Sequence, residues 1–69
     1  SPTRENEKVI KENEKVISDN ERVLEEVVKV VETATDRKEI QDAVDEVRKS
    51  VDKLRDSVRK LEESVRTLD

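Results

Sequence analysis

Glu5-Asn6-Glu7-Lys8-Val9-Ile10-Lys11 is followed at once by Glu12-Asn13-Glu14-Lys15-Val16-Ile17-Ser18. The pattern continues through Asp19-Asn20-Glu21-Arg22-Val23-Leu24-Glu25 and Glu26-Val27-Val28-Lys29-Val30-Val31-Glu32. With Asn6 at position a of a heptad, row a reads Asn6, Asn13, Asn20, Val27. Row d reads Val9, Val16, Val23, Val30, and row e reads Ile10, Ile17, Leu24, Val31. An apolar set that recurs every seven residues specifies a helix with a left-handed supercoil, because a strand repeats every two.

The rest of the chain is heptadic as well. Val44, Val51, Val58 and Val65 form one row, taken as a. Ile40, Val47, Leu54, Leu61 and Leu68 form row d, and Ala43, Ser50, Ser57 and Ser64 form row g. The period breaks at Thr33-Ala34-Thr35. Asp36 then supplies an N-cap with Glu39 at N3, the spacing of a capping box. Ser1-Pro2 supplies an N-cap followed by proline at N1, where a missing N–H costs nothing. The expected fold is all-α: one domain over 1–69, an antiparallel hairpin of helices at about 2–33 and 36–68.

Folding the chain back on itself brings chosen residues level. Asn6 and Ser64 have numbers that sum to 70, as do Asn13 and Ser57, and Asn20 and Ser50; so do Val27 and Ala43, and Val9 and Leu61. One match forces the others. What carries information is that polar meets polar in three layers and apolar meets apolar beside the turn. At about 103° per residue, rows d and e of the first helix lie to either side of row a, which places each Asn at the centre of its apolar stripe. An unsatisfied buried donor or acceptor costs about 1–3 kcal/mol, so these amides need partners. An amide has more hydrogen-bonding capacity than one hydroxyl can satisfy, so the remainder falls to a second chain or to water. The preferred reading is a network at an interface, formed by Asn6, Asn13, Asn20, Ser50, Ser57 and Ser64, that sets register and partner. The plainer alternative leaves the Asn row solvated.

The expected apolar core is Val9, Ile10, Val16, Ile17, Val23, Leu24, Val27, Val30 and Val31 from the first helix. The second contributes Ile40, Val44, Val47, Val51, Leu54, Val58, Leu61, Val65 and Leu68. Two helices cannot cover apolar stripes of this width, whereas joining a second hairpin into a left-handed four-helix bundle closes the core; three hairpins are the larger alternative. Twelve valines lower intrinsic helicity through lost rotamer freedom, so these helices depend on packing. A chain of 69 residues without cysteine or histidine has neither a disulfide nor the usual zinc ligands to supplement a small core.

Composition excludes several functions. Charged residues make up 49% of the chain, yet the net charge is −4, and there are no aromatic residues. That balance lacks the basic footprint of a nucleic-acid binder. No apolar run approaches the roughly 20 residues of a membrane span, and the start of the chain has no signal-peptide core, so a soluble, cytoplasmic-type protein is expected. The serines have no histidine to act as base, and every inward position is aliphatic, Ala, Asn or Ser, so no catalysis, cofactor, metal or small-molecule substrate is expected. Acidic rows Glu5, Glu12, Asp19, Glu26 and Glu7, Glu14, Glu21 border the first stripe. Arg48 and Arg55, beside Gln41 and Glu62, are expected to satisfy part of that acid within the hairpin. The outer row Lys8, Lys15, Arg22, Lys29 is expected to form local pairs such as Glu12 with Lys15.

The verbatim ENEKVI repeat at Glu5–Ile10 and Glu12–Ile17, the Asn and Ser rows and the Ser1-Pro2 start resemble computationally designed helical bundles with buried hydrogen-bond networks. The likeness spans the whole chain and is one of style. It implies a hairpin that associates with itself or with a matched different hairpin, its polar layers discriminating partners, and no natural substrate. The readings carried forward are a homodimeric four-helix bundle, one subunit of an obligate heterodimer, and a natural coiled-coil adaptor.

Overall fold

The computed structural model describes residues 1–68 and contains two helices, α1 (Pro2–Thr33) and α2 (Arg37–Arg66). They form an antiparallel hairpin with principal extents of 53 × 14 × 11 Å. Its radius of gyration is 15.9 Å, against about 11 Å for a compact globule of this length. A rod of two helices has no interior beyond the seam between them.

α1 starts where its sequence directs. Ser1 Oγ accepts a hydrogen bond from the Arg4 backbone N–H at 3.3 Å, and Pro2 occupies the first helical turn. α1 ends without glycine because the chain leaves it through extended backbone. Ala34 lies at φ −63°, ψ 135° and Asp36 at φ −141°, ψ 167°, and no described residue has positive φ. A left-handed terminator is therefore not required here.

The start of α2 differs in one detail from the expected capping box. Asp36 Oδ1 accepts from the Glu39 N–H at 2.9 Å as anticipated, but Glu39 Oε2 reaches past the cap to the N–H of Thr35, at 3.0 Å. The extended Asp36 backbone places the Thr35 N–H within reach of that carboxylate. Two donors at the turn are thereby satisfied by side chains. Asp36→Ala is expected to lower stability by about 0.5–2 kcal/mol, read as a lower guanidinium midpoint at unchanged slope.

At its far end α2 is shorter than expected. The helix stops at Arg66, and Thr67 and Leu68 donate to Ser64 and Val65 at 3.2 Å each, the tightened bonding of a last turn. Leu68, assigned to the core from its heptad position, lies outside the helix and is exposed.

The seam inverts the usual order of a protein interior. The buried residues of α1 are Asn13 and Asn20, and those of α2 are Ala43, Ser50, Ser57 and Ser64. Ala43 is the one buried hydrophobic residue among those described, and no large side chain is fully enclosed. Small residues along α2 allow α1 to approach closely, and the Asn side chains fill the space between them.

Candidate functional site

The three polar layers form within the chain. Asn20 Nδ2 donates to Ser50 Oγ at 2.9 Å, Asn13 Nδ2 to Ser57 Oγ at 3.1 Å, and Asn6 Nδ2 to Ser64 Oγ at 3.3 Å. The bonds lengthen away from the turn, and Asn6 is only half-buried where Asn13 is 8% exposed. All six residues expected to pair do so, in the register given by numbers that sum to 70. Among the described residues no buried side-chain nitrogen or oxygen lacks a partner. The amide capacity that serine does not use is therefore not sealed from water, and in the hairpin alone the layers stand without a second chain.

With Asn facing Ser, the remaining rows take fixed places. In α1, rows d and e lie about 51° to either side of the seam; in α2, row d lies about 51° from the Ser row and row a about 103°. The helices are antiparallel, so their rotations run in opposite senses. Row e of α1 then falls on the same side as rows d and a of α2, and row d of α1 falls on the other.

The grooves on that second side agree with this placement. Val16 lies there with Ser57, Lys53 and Lys60, and Val23 with Ser50, Glu46 and Lys49. The side-chain stems of α2 thus partly cover row d of α1, where Val9, Val16 and Val23 are half-buried. Nearer the turn the groove widens to a concavity of 660 Å³, because small Ala43 stands opposite Val27. Its rim carries Glu26, Glu39, Asp42 and Glu46, and nothing buried and unpaired points into it.

The first side is different. Ile10, Ile17, Leu24 and Val31 of α1 are all exposed, and so are Val44, Val51, Val58 and Val65 of α2. Between them run Val47, Leu54 and Leu61, half-buried, with Ile40 exposed at the turn end. Every residue on this side is aliphatic. In the single chain, therefore, the eighteen residues expected to form a core divide between seam flanks and an open face, and none is buried.

Charges are kept off that face. The ion pairs among described residues all join positions three or four apart on one helix, such as Arg22 with Asp19 at 3.5 Å and Arg59 with Asp56 at 2.7 Å. The outer basic row uses Asp19–Arg22, not the expected Glu12–Lys15. Arg48 and Arg55 form no ion pair with the acids of α1, contrary to expectation, because the open face separates them from Glu7, Glu14 and Glu21. Asp56 is held below the usual carboxylate range by hydrogen bonds from Arg59 and Lys60, and Lys38 is raised by its bond to Asp42. Both are fully exposed, so neither marks a reactive site.

Comparisons with protein-family models, with curated proteins and with solved structures found no match to the chain. Among the described residues, no helix is long and apolar enough to cross a membrane.

Proposed function

We propose that the chain is a protein–protein association module: a hairpin whose aliphatic face docks on a second hairpin, most simply a second copy, to complete a left-handed four-helix bundle. The observation that carries this reading is the contrast between the two sides of the seam. The polar residues are buried between the helices, and most of the exposed large aliphatic residues form one continuous face on one side of the seam, with Val30 on the other side and Val28 at the rim. Contiguous apolar surface of this extent marks an interaction site in a folded protein.

The energetics point the same way. Exposed aliphatic residues on the chain retain 38–54% of their surface. Fully burying such a side chain contributes about 1.5–3 kcal/mol, so covering what remains contributes about 0.6–1.2 kcal/mol for each. For the nine exposed residues named on this face the sum is about 5–11 kcal/mol per hairpin, or twice that for a pair. Association costs about 4–15 kcal/mol, so a pair forms with a surplus. The lone hairpin, with Ala43 as its buried hydrophobic residue, has little else to oppose chain entropy.

In this reading the Asn–Ser layers set the register in which each hairpin presents its face, and the chain performs no catalysis. The near-verbatim heptads together with polar layers at fixed spacing support an origin by design. The excess acid of Glu7, Glu14 and Glu21 favours a second reading, in which the partner is a different, more basic hairpin and this chain is one half of an obligate heterodimer.

Light scattering with far-UV circular dichroism, across a tenfold range of concentration, tests the proposal. A strongly helical species at twice 8.0 kDa is expected. A weakly helical monomer at every concentration would rule out self-association and leave the heterodimer.

A further inference from the structure

If two copies pair through this face, twofold symmetry allows two arrangements. With the axis along the bundle, both turns lie at one end and each α1 packs against α2 of the other copy. With the axis across the bundle, the turns lie at opposite ends, α1 packs on α1 and α2 on α2. We infer that the hairpin is built for the first arrangement, a homodimer with both turns at one end and the acidic rim of each α1 against the arginine rim of the other α2. The inference rests on the self-association proposed above.

The charges at the rims of the face favour this arrangement. Beyond row e, the rim of α1 is row b, with Glu7, Glu14, Glu21 and Val28; beyond row a, the rim of α2 is row e, with Gln41, Arg48, Arg55 and Glu62. Copies with turns at one end sit at equal height, so residues whose numbers sum to about 70 are level, as they are inside the hairpin. Glu21 then meets Arg48, Glu14 meets Arg55, and Val28 meets Gln41. Only Glu7, at the open end, meets a like charge, Glu62. Because the axis repeats the contact, the dimer gains four opposite-sign pairs and two like-sign ones. Among the described residues none of Glu7, Glu14, Glu21, Arg48 or Arg55 is in an ion pair within the chain. With turns at opposite ends, the acid row of α1 meets its own copy in any register.

The widths of the aliphatic faces favour the same arrangement independently of charge. α1 contributes one aliphatic row to the open face and α2 contributes two. Placing α1 on α2 sets one row against two at both seams of the dimer, so the seams are equal. Placing like on like gives one narrow seam and one wide seam, and a lopsided core with poorer packing.

Two measurements test the arrangement on the full chain. A nitroxide on Thr35→Cys, at the exposed turn, is expected to give an intermolecular distance on the order of 10–20 Å, one or two helix spacings. A distance near the 53 Å length of the hairpin would overturn the inference while leaving self-association intact. Separately, Arg48→Glu with Arg55→Glu is expected to raise the dimer dissociation constant by about tenfold at low salt, less in 1 M salt. Adding Glu14→Arg and Glu21→Arg to that chain should restore association, because each α1 would again meet an α2 of opposite sign. If the four-fold swap leaves association as weak or weaker, α1 does not face α2 and the inference fails. A wild-type chain that stays monomeric defeats the association reading first, and this inference with it.

Discussion

Ile17→Glu combined with Val51→Glu is expected to abolish association and, with it, most of the helix signal. Both residues are about two-fifths exposed in the hairpin and lie on the open aliphatic face, one from each helix. Neither takes part in an Asn–Ser hydrogen bond, so a hairpin that was stable alone would tolerate the change and gain solubility. The expectation of unfolding follows from what the hairpin lacks. Its buried positions are Ala43, two asparagines and three serines, which contribute little hydrophobic free energy, and twelve valines weaken intrinsic helicity. A carboxylate placed in a dimer core is left unpaired or forces the core apart, and either outcome costs several kcal/mol. Dichroism at 222 nm should fall to a small fraction of the wild-type value at equal concentration, with scattering at 8.0 kDa or below any fixed multiple of it. A fully helical monomer would show instead that the hairpin is self-sufficient and that its aliphatic face has no stabilising role. As a control, Lys8→Gln with Lys11→Gln changes the net charge by the same amount off that face, at two exposed positions in no ion pair among the described residues, and should leave both readings near wild type.

The helix pattern, the turn and the level pairing of Asn with Ser were all legible in the sequence, because each rests on a short physical rule. Period seven fixes the helices, Asp36 with Glu39 fixes where the second begins, and a hairpin fixes which residues are level. The side of α2 that meets α1 was less legible. Row d of Leu54 and Leu61 is central in its apolar stripe, with Val on one flank and Ser on the other, and the stripe alone does not say how much of the Val flank stays open. The structure seats Ser57 and its row against Asn13, and the leucines flank the seam. The cause is complementarity in size and in hydrogen bonding: an Asn row needs both space and acceptors, and a Ser row provides each. With the Ser row at the seam, row a lies about 103° away, which leaves Val44, Val51, Val58 and Val65 in the open.

The same geometry explains two misses. Arg48 and Arg55 do not neutralise α1, because a heptad wheel gives angles around a helix and does not by itself give the side on which the next helix sits. The end of α2 at Arg66 was missed by about two residues because Leu68 keeps the heptad period beyond the last hydrogen-bonded turn. An apolar period shows which positions would be useful in a core, and helix ends are decided by backbone groups that the period does not report.

The second large effect is expected in the seam, where a single deletion and a matched pair should act in opposite directions. Ser57→Ala removes the acceptor for Asn13 Nδ2, which lies 3.1 Å from Ser57 Oγ at a position 8% exposed. The stranded amide should cost about 1–3 kcal/mol, a large share of the stability of a chain this short. Asn13→Leu alone is expected to lose less, because a serine hydroxyl can turn to the carbonyl one helical turn earlier. Asn13→Leu with Ser57→Ala removes donor and acceptor together and replaces them with aliphatic volume, so its guanidinium midpoint should equal or exceed that of wild type. The gain carries a loss of definition. Each polar layer penalises a slip of one heptad, since a slipped register leaves at least one Asn or Ser opposite Val or Ala, and removing the middle layer reduces that penalty. The double variant should therefore melt later yet show a broader distribution of sizes in light scattering. If Ser57→Ala melts like wild type, the Asn amides are satisfied by water and the layers carry no register. If the double variant is both destabilised and uniform in size, the layers stabilise the fold directly and specificity is set elsewhere, at the charged rims of the aliphatic face.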